Sequence, residues 1–193
     1  MKKVFLLTLA LMLLLSGCTV TYESVVKEKG AVSFNEVWYT GENQIAFYNM
    51  QSISKWDKFV ENCKSNKPKE VTVAHIFDVT GEGGSMDIRK LKYDGDQYTL
   101  TCDSHYYVLD GEQEAIQDSC PVDEPKERTF KYLKEFDVKA DCEYSYSDTY
   151  RYYVLTNIQG LTAEEFSENR YDSESEISQN SYLAFVKELD TQE

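Results

Sequence analysis

Asp103, Ser104 and His105 stand side by side and are the residue types of a serine hydrolase. Neighbours on a strand point to opposite faces, so Ser104 and His105 cannot easily share a proton there. No Gly-x-Ser-x-Gly turn presents a serine elsewhere. The chain has two histidines, too few for a His-rich metal site. His75 lies in an apolar stretch and reads as a satisfied, partly buried side chain. Gly81-Glu82-Gly83-Gly84 lacks the Gly-Lys-Ser/Thr ending of a phosphate loop. Asp94-Gly95-Asp96 lacks the later ligands and closing Glu of a calcium loop and reads as a hairpin turn. Acids cluster at Asp118, Asp123 and Glu124, and again at Glu164, Glu165, Glu168, Asp172, Glu174 and Glu176. Such clusters are usually solvated charge; at most they would bind calcium weakly, at millimolar level. No other cofactor is expected, and the chain does not read as an enzyme.

Tyrosine is the most distinctive residue, with 15 in the chain. Tyr144 and Tyr146 share one face of an extended strand, as do Tyr150 and Tyr152. In a hairpin these pairs would stack across strands. Exposed, they would form a binding surface for a glycan or peptide; buried, they would fill the core.

The elements that position these residues begin with a leader. Met1-Lys2-Lys3 precedes an apolar run from Val4 to Leu15, broken only by Thr8. This is the pattern of a signal peptide, and it falls short of the ~20 apolar residues that span a bilayer. It ends in Leu15-Ser16-Gly17-Cys18, which resembles the lipobox of bacterial lipoproteins residue for residue. The resemblance implies cleavage after residue 17 and a diacylglycerol thioether on Cys18. Two acyl chains anchor a protein stably. An extracytoplasmic, membrane-anchored location follows as an expectation.

Residues 1–17 carry two lysines and no acid, so the remaining 176 residues hold 18 of the 20 basic residues against all 34 acidic ones, a net charge of −16. That surface repels nucleic acid and offers no basic patch for anionic lipid. Four further cysteines, Cys63, Cys102, Cys120 and Cys142, are even in number and free of Cys-x-x-Cys spacing, so two disulfides are expected. Three pairings are open. Cys63 with Cys102 and Cys120 with Cys142 is preferred, each contributing roughly 3–4 kcal/mol. Free buried thiols are the rival reading.

Residues 18–35 are polar and mixed and read as a tether to a single domain over 36–193. Val37 to Tyr39 reads as a short strand. Ile53, Trp56, Phe59, Val60 and Cys63 lie on one face of a helix over about 53–65. Alternation predicts strands over 70–79, 86–93, 97–102 (extended by 105–109) and 129–138, with a long acidic loop at 110–125 and a hairpin over 144–155. Thr162 and Glu165 match a capping box that opens a helix to about Asn169. Tyr182, Phe185, Val186 and Leu189 sit at helical spacing. The class is α+β, an antiparallel meander with an N-terminal amphipathic helix and C-terminal helices packed on it.

Trp56-Asp57-Lys58-Phe59-Val60-Glu61-Asn62, Thr80-Gly81-Glu82-Gly83 and Leu91-Lys92-Tyr93-Asp94-Gly95 resemble an uncharacterised family of small lipoproteins from spore-forming Gram-positive bacteria. The resemblance covers residues 53–155. The order within the 80–83 turn departs from the family, and 156–193 have no counterpart. It implies a lipid-anchored envelope domain and brings no site residues.

Three functions fit. The first is a non-enzymatic binding or accessory domain whose partner is an envelope protein or glycan. The second is an envelope hydrolase using paired carboxylates about 5–9.5 Å apart. The third is a structural protein without a specific ligand.

Overall fold

The structure is a computed structural model. It describes residues 21–39, 44–79, 83–109, 115–118, 127–140 and 142–189. The expected leader and Cys18 lie outside these residues, as do Asp123, Glu124, Cys120 and the side chains of Cys102, His105 and Asp118.

The protein is α+β, with two sheets facing one another. The larger contains β1 (Val32–Tyr39), β2 (Gln44–Gln51), β3 (Lys69–Val79), β4 (Gly83–Tyr93), β5 (Tyr98–Leu109), β6 (Ala115–Asp118) and β7 (Glu127–Phe130). Its order is β2-β1-β3-β4-β5, with β6 and β7 on opposite ends of the outer edge of β5. The smaller sheet is antiparallel, in the order β10-β9-β8, with β8 at Tyr132–Lys139, β9 at Thr149–Thr156 and β10 at Ser181–Glu188.

The large sheet is mixed rather than wholly antiparallel, because β1 runs parallel to β3, with Phe34 opposite His75 and Glu36 opposite Phe77. Parallel neighbours need a long crossover, and β2 with helix α2 (Ile53–Lys64) supplies it. Helix α2 buries Trp56, Phe59, Val60 and Cys63. Trp56 stacks on Phe185 of β10 at 4.8 Å and meets Tyr153 of β9 edge-on at 5.2 Å. The main core lies between the sheets, around Phe34, Phe47, Trp56, Tyr150 and Phe185.

Four expectations need correction. The tether of 18–35 is structured from residue 22 on. Helix α1 (Tyr22–Lys29), capped by Thr21 and closed by Gly30 at φ +58°, packs Tyr22, Val25 and Val26 against Ala74, Ile76, Met86 and Ile88 on the outer face of the large sheet. Val32, Ser33, Phe34 and Asn35 then enter β1, buried. This strand has neighbours on both edges and is covered on both faces, so Val32 to Val37 are buried without a break although Ser33, Asn35 and Glu36 are polar.

The helix expected from Tyr182 onward is strand β10. Leu183 to Val186 is a continuous buried run, which fits a buried strand as well as a helix, and β9 offers it a ladder. The expected hairpin over 144–155 is a single strand, β9. Both of its edges are taken, by β8 and β10, leaving residues 142–148 in turns. The expected strand over 129–138 is two strands, β7 and β8, which carry the chain from one sheet to the other.

The capping box at Thr162 and Glu165 opens α3 (Ala163–Asn169), and α4 (Glu176–Asn180) follows. Among the described residues no helix is long and apolar enough to cross a membrane.

Candidate functional site

Strand β1 places Phe34, Glu36 and Trp38 on its inner face. Glu36 sits near the middle of the large sheet's β2 side, 2% exposed. An ionised carboxylate there loses its hydration, so it must be paired and hydrogen-bonded. Three residues meet it. His75 on β3 puts Nε2 2.8 Å from Oε2. Arg170, one residue past α3, puts a guanidinium nitrogen, Nη2, 3.2 Å from Oε1. The Tyr171 hydroxyl donates to the same Oε1. Burial pushes the Glu36 carboxyl up, but the Arg170 charge and His75 more than offset this and hold it below its ordinary value.

Aromatic rings clamp the partners. Phe34 stacks on the His75 ring at 4.5 Å, nearly parallel. The Arg170 guanidinium lies 4.4 Å from the centre of the Tyr171 ring and 5.4 Å from those of Phe47 and Tyr152. Trp38 stacks on Tyr171. Cation–π contacts stabilise a desolvated guanidinium but give its N–H groups no acceptor atom. Nη2 has Glu36; Nη1 is buried and has no hydrogen-bond partner among the described residues.

Beside this cluster lies a cavity of about 200 Å³. Glu36, His75, Arg128 and Arg170 give it charge, and Phe166, Tyr171, Tyr182 and Leu183 give it apolar wall. Helices α3 and α4 roof it through Phe166, Arg170 and Ser178. Arg128 of β7 donates to the carbonyls of Gln179 and Ser181, tying the far end of the roof down. Arg170 also faces a smaller cavity of about 120 Å³, lined by Phe47, Tyr150 and Tyr152.

The four tyrosines read as one surface separate into two pairs. Tyr150 and Tyr152 are core residues, 2% and 8% exposed, packed on Phe47. Tyr144 and Tyr146 are 45% and 80% exposed. They meet other partners: Tyr144 stacks on Tyr39 at 4.7 Å, and Tyr146 packs on Tyr48. The turn of 142–148 therefore clips against the β1–β2 hairpin instead of pairing with β9.

Cys63 and Cys142 are free and buried, so neither preferred disulfide is formed. Cys63 faces the core from α2 and has Tyr98 as a hydrogen-bond partner. The acids of 164–176 do not converge. Glu165 is spent on Thr162, Asp172 accepts from the Glu174 amide, and no described group of three metal-ligating side chains could hold an ion.

Glu36, Arg170 and Tyr171 escape a reading by motif, yet each left a signal. Glu36 is a lone acid in an otherwise uncharged run from Ala31 to Thr40, and Arg170 is the one cation between residues 152 and 186. A search against family models, one of curated proteins and one of solved structures each found no match.

Proposed function

We propose that this chain is a lipid-anchored protein of the cell envelope whose domain acts by binding, with the cavity beside Glu36 and Arg170 as its ligand site. The location rests on the leader and on Leu15-Ser16-Gly17-Cys18. One observation carries the binding site: a cavity of about 200 Å³ brings Glu36, His75, Arg128 and Arg170 together beside an apolar wall of Phe166, Tyr171 and Leu183. The mixture of apolar wall and a few convergent polar groups is that of a small-molecule site. Among the described residues Glu36 is the single carboxylate in the lining, and it is engaged at both oxygens, which favours binding over acid–base chemistry.

Mass spectrometry of the chain extracted from membranes tests both halves. The expected chain begins at an acylated Cys18, and under native conditions it carries a co-purifying small molecule that Arg170→Gln loses. An unprocessed chain would sink the envelope assignment. Turnover of wall polymer by the purified chain would replace binding with hydrolysis.

A further inference from the structure

Resting on that cavity as the ligand site, we propose that residues 162–178 are its lid, hinged at a fixed base and latched shut by Arg170 and Tyr171 on β1. Strands β9 and β10 are antiparallel neighbours, with Thr156 opposite Ser181. A two-residue turn suffices to join such a pair. The chain instead runs through residues 157–180 and lays α3 and α4 over the cavity. Long excursions between paired strands are where lids and binding loops are found.

The base of the excursion is fastened to the sheets. The Asn157 amide donates to the Asn180 carbonyl at 3.0 Å, so the two ends of the segment meet. The Asn157 side chain accepts from the Lys131 amide and donates to the Thr129 carbonyl. Lys134 donates to the carbonyls of Gln159 and Leu161, and Arg128 to those of Gln179 and Ser181. Beyond the base the attachment is slight. Among the described residues from 162 to 180, Phe166 is the one buried hydrophobic side chain. Phe166 aside, this part is held to β1 by Arg170 on Glu36, by the Tyr171 hydroxyl on the same carboxylate, and by the Tyr171 ring stacked on Trp38. Both latch residues come from the turn directly after α3, so one movement about the base frees them together and leaves the two sheets packed. Segments that bury little surface open at low free energy while the core stays folded. Leu183 of β10 lies beneath, 8% exposed, and meets solvent when the lid lifts. Arg170 is both wall and latch, so a ligand enters beside it with the lid raised.

Thiol labelling of the full-length protein in detergent tests this without any ligand. Leu183→Cys places a thiol under the lid, and Cys63, buried on α2, is the internal reference for opening of the core. Iodoacetamide is the probe, read at each site by peptide mass mapping. Added to Leu183→Cys, Glu36→Gln keeps the cavity wall and strands the Arg170 charge. It should raise labelling under the lid about tenfold or more, the loss of one charge-assisted hydrogen bond. Tyr171→Phe keeps the ring and the Arg170–Glu36 pair; it should act in the same direction, and it serves if Glu36→Gln does not fold. Val71→Ala, a core change on β3, should speed labelling of Cys63 and leave the thiol of Leu183→Cys at its former rate, because Val71 stays packed when the lid lifts. If Leu183→Cys itself does not fold, Ser181→Cys probes the same lining. Unchanged labelling under the lid in both latch variants would remove the latch. Equal acceleration of the two thiols by Val71→Ala would show that the cavity opens only with the core, and would end the lid. The binding reading fails separately: a chain that carries no co-purifying molecule leaves these rates as they are, and rates that contradict the lid leave such a molecule in place.

Discussion

Arg170 and Glu36 lie far apart in the chain yet meet inside it, Nη2 to Oε1 at 3.2 Å, with 8% and 2% of their side chains exposed. This contact joins the roof formed by α3 and α4 to an interior strand of the large sheet. A pair so buried is costly to break from one side, because the remaining charge is left without a partner. Arg170→Gln is therefore expected to lower stability by about 3–5 kcal/mol. The double change Glu36→Gln/Arg170→Gln should cost less than the sum of the two single changes. Urea unfolding of the four proteins measures the coupling, and additive losses would show that the pair does not interact.

The same pair sets an acid limit. Glu36 has a folded-state carboxyl below its ordinary value of 4.5. Above that value the group is ionised in both folded and unfolded chains, and its full contribution is present. As pH falls through the lowered folded value, the unfolded chain takes up the proton first and the contribution is lost. Unfolding free energy should fall as pH drops below about 4.5, and more steeply in the wild type than in Glu36→Gln. Equal slopes would mean that other carboxylates carry the acid sensitivity.

Tyr150 on β9 donates its hydroxyl to the Phe47 carbonyl on β2 at 3.0 Å, joining the two sheets by a hydrogen bond. Tyr150→Phe keeps the ring and strands that carbonyl, at an expected cost of about 1–3 kcal/mol. Tyr146→Ala, at a side chain 80% exposed, should change stability by no more than about 0.5 kcal/mol. Thermal unfolding of the two variants separates the core tyrosines from the surface ones. Similar losses at both positions would contradict the separation.

Burial pushes the Cys63 thiol up to about 11, partly opposed by its hydrogen bond to Tyr98. A thiol held protonated is a poor nucleophile. Iodoacetamide at pH 8 should label Cys63 slowly in the folded protein and quickly in urea, as read by peptide mass mapping. Rapid labelling of the folded protein would place the thiol at the surface. The linked stability is fully present below the ordinary thiol value of 9.0 and declines as pH rises toward 11.

What could be read from the residues was what local pattern determines. The face Ile53, Trp56, Phe59, Val60 and Cys63 has one helical solution, and Thr162 with Glu165 closes a local hydrogen-bond ring. Leu183 to Val186 has no such uniqueness. Its conformation depends on a partner strand some thirty residues away, which periodicity within the segment cannot report. Tyr150 and Tyr152 share a face in any extended chain, but whether that face meets solvent or Phe47 is decided by the second sheet. The site was illegible for the same reason. Glu36, His75 and Arg170 come from β1, β3 and the end of α3, and nothing in their spacing announces that they meet.

The ordered start of α1 has a consequence for geometry at the bilayer. With the lipid on Cys18 as proposed, Thr19 to Thr21 are all that separate the acyl chains from a helix that is part of the folded body. Four Cα steps reach at most about 14 Å, half the thickness of the hydrocarbon layer. The domain would then be held flush against the head groups with little freedom to search the space above them. An acidic body so close to an anionic leaflet would be repelled from it yet unable to retreat, and a fixed tilt, set by that repulsion, would decide which of its faces looks outward.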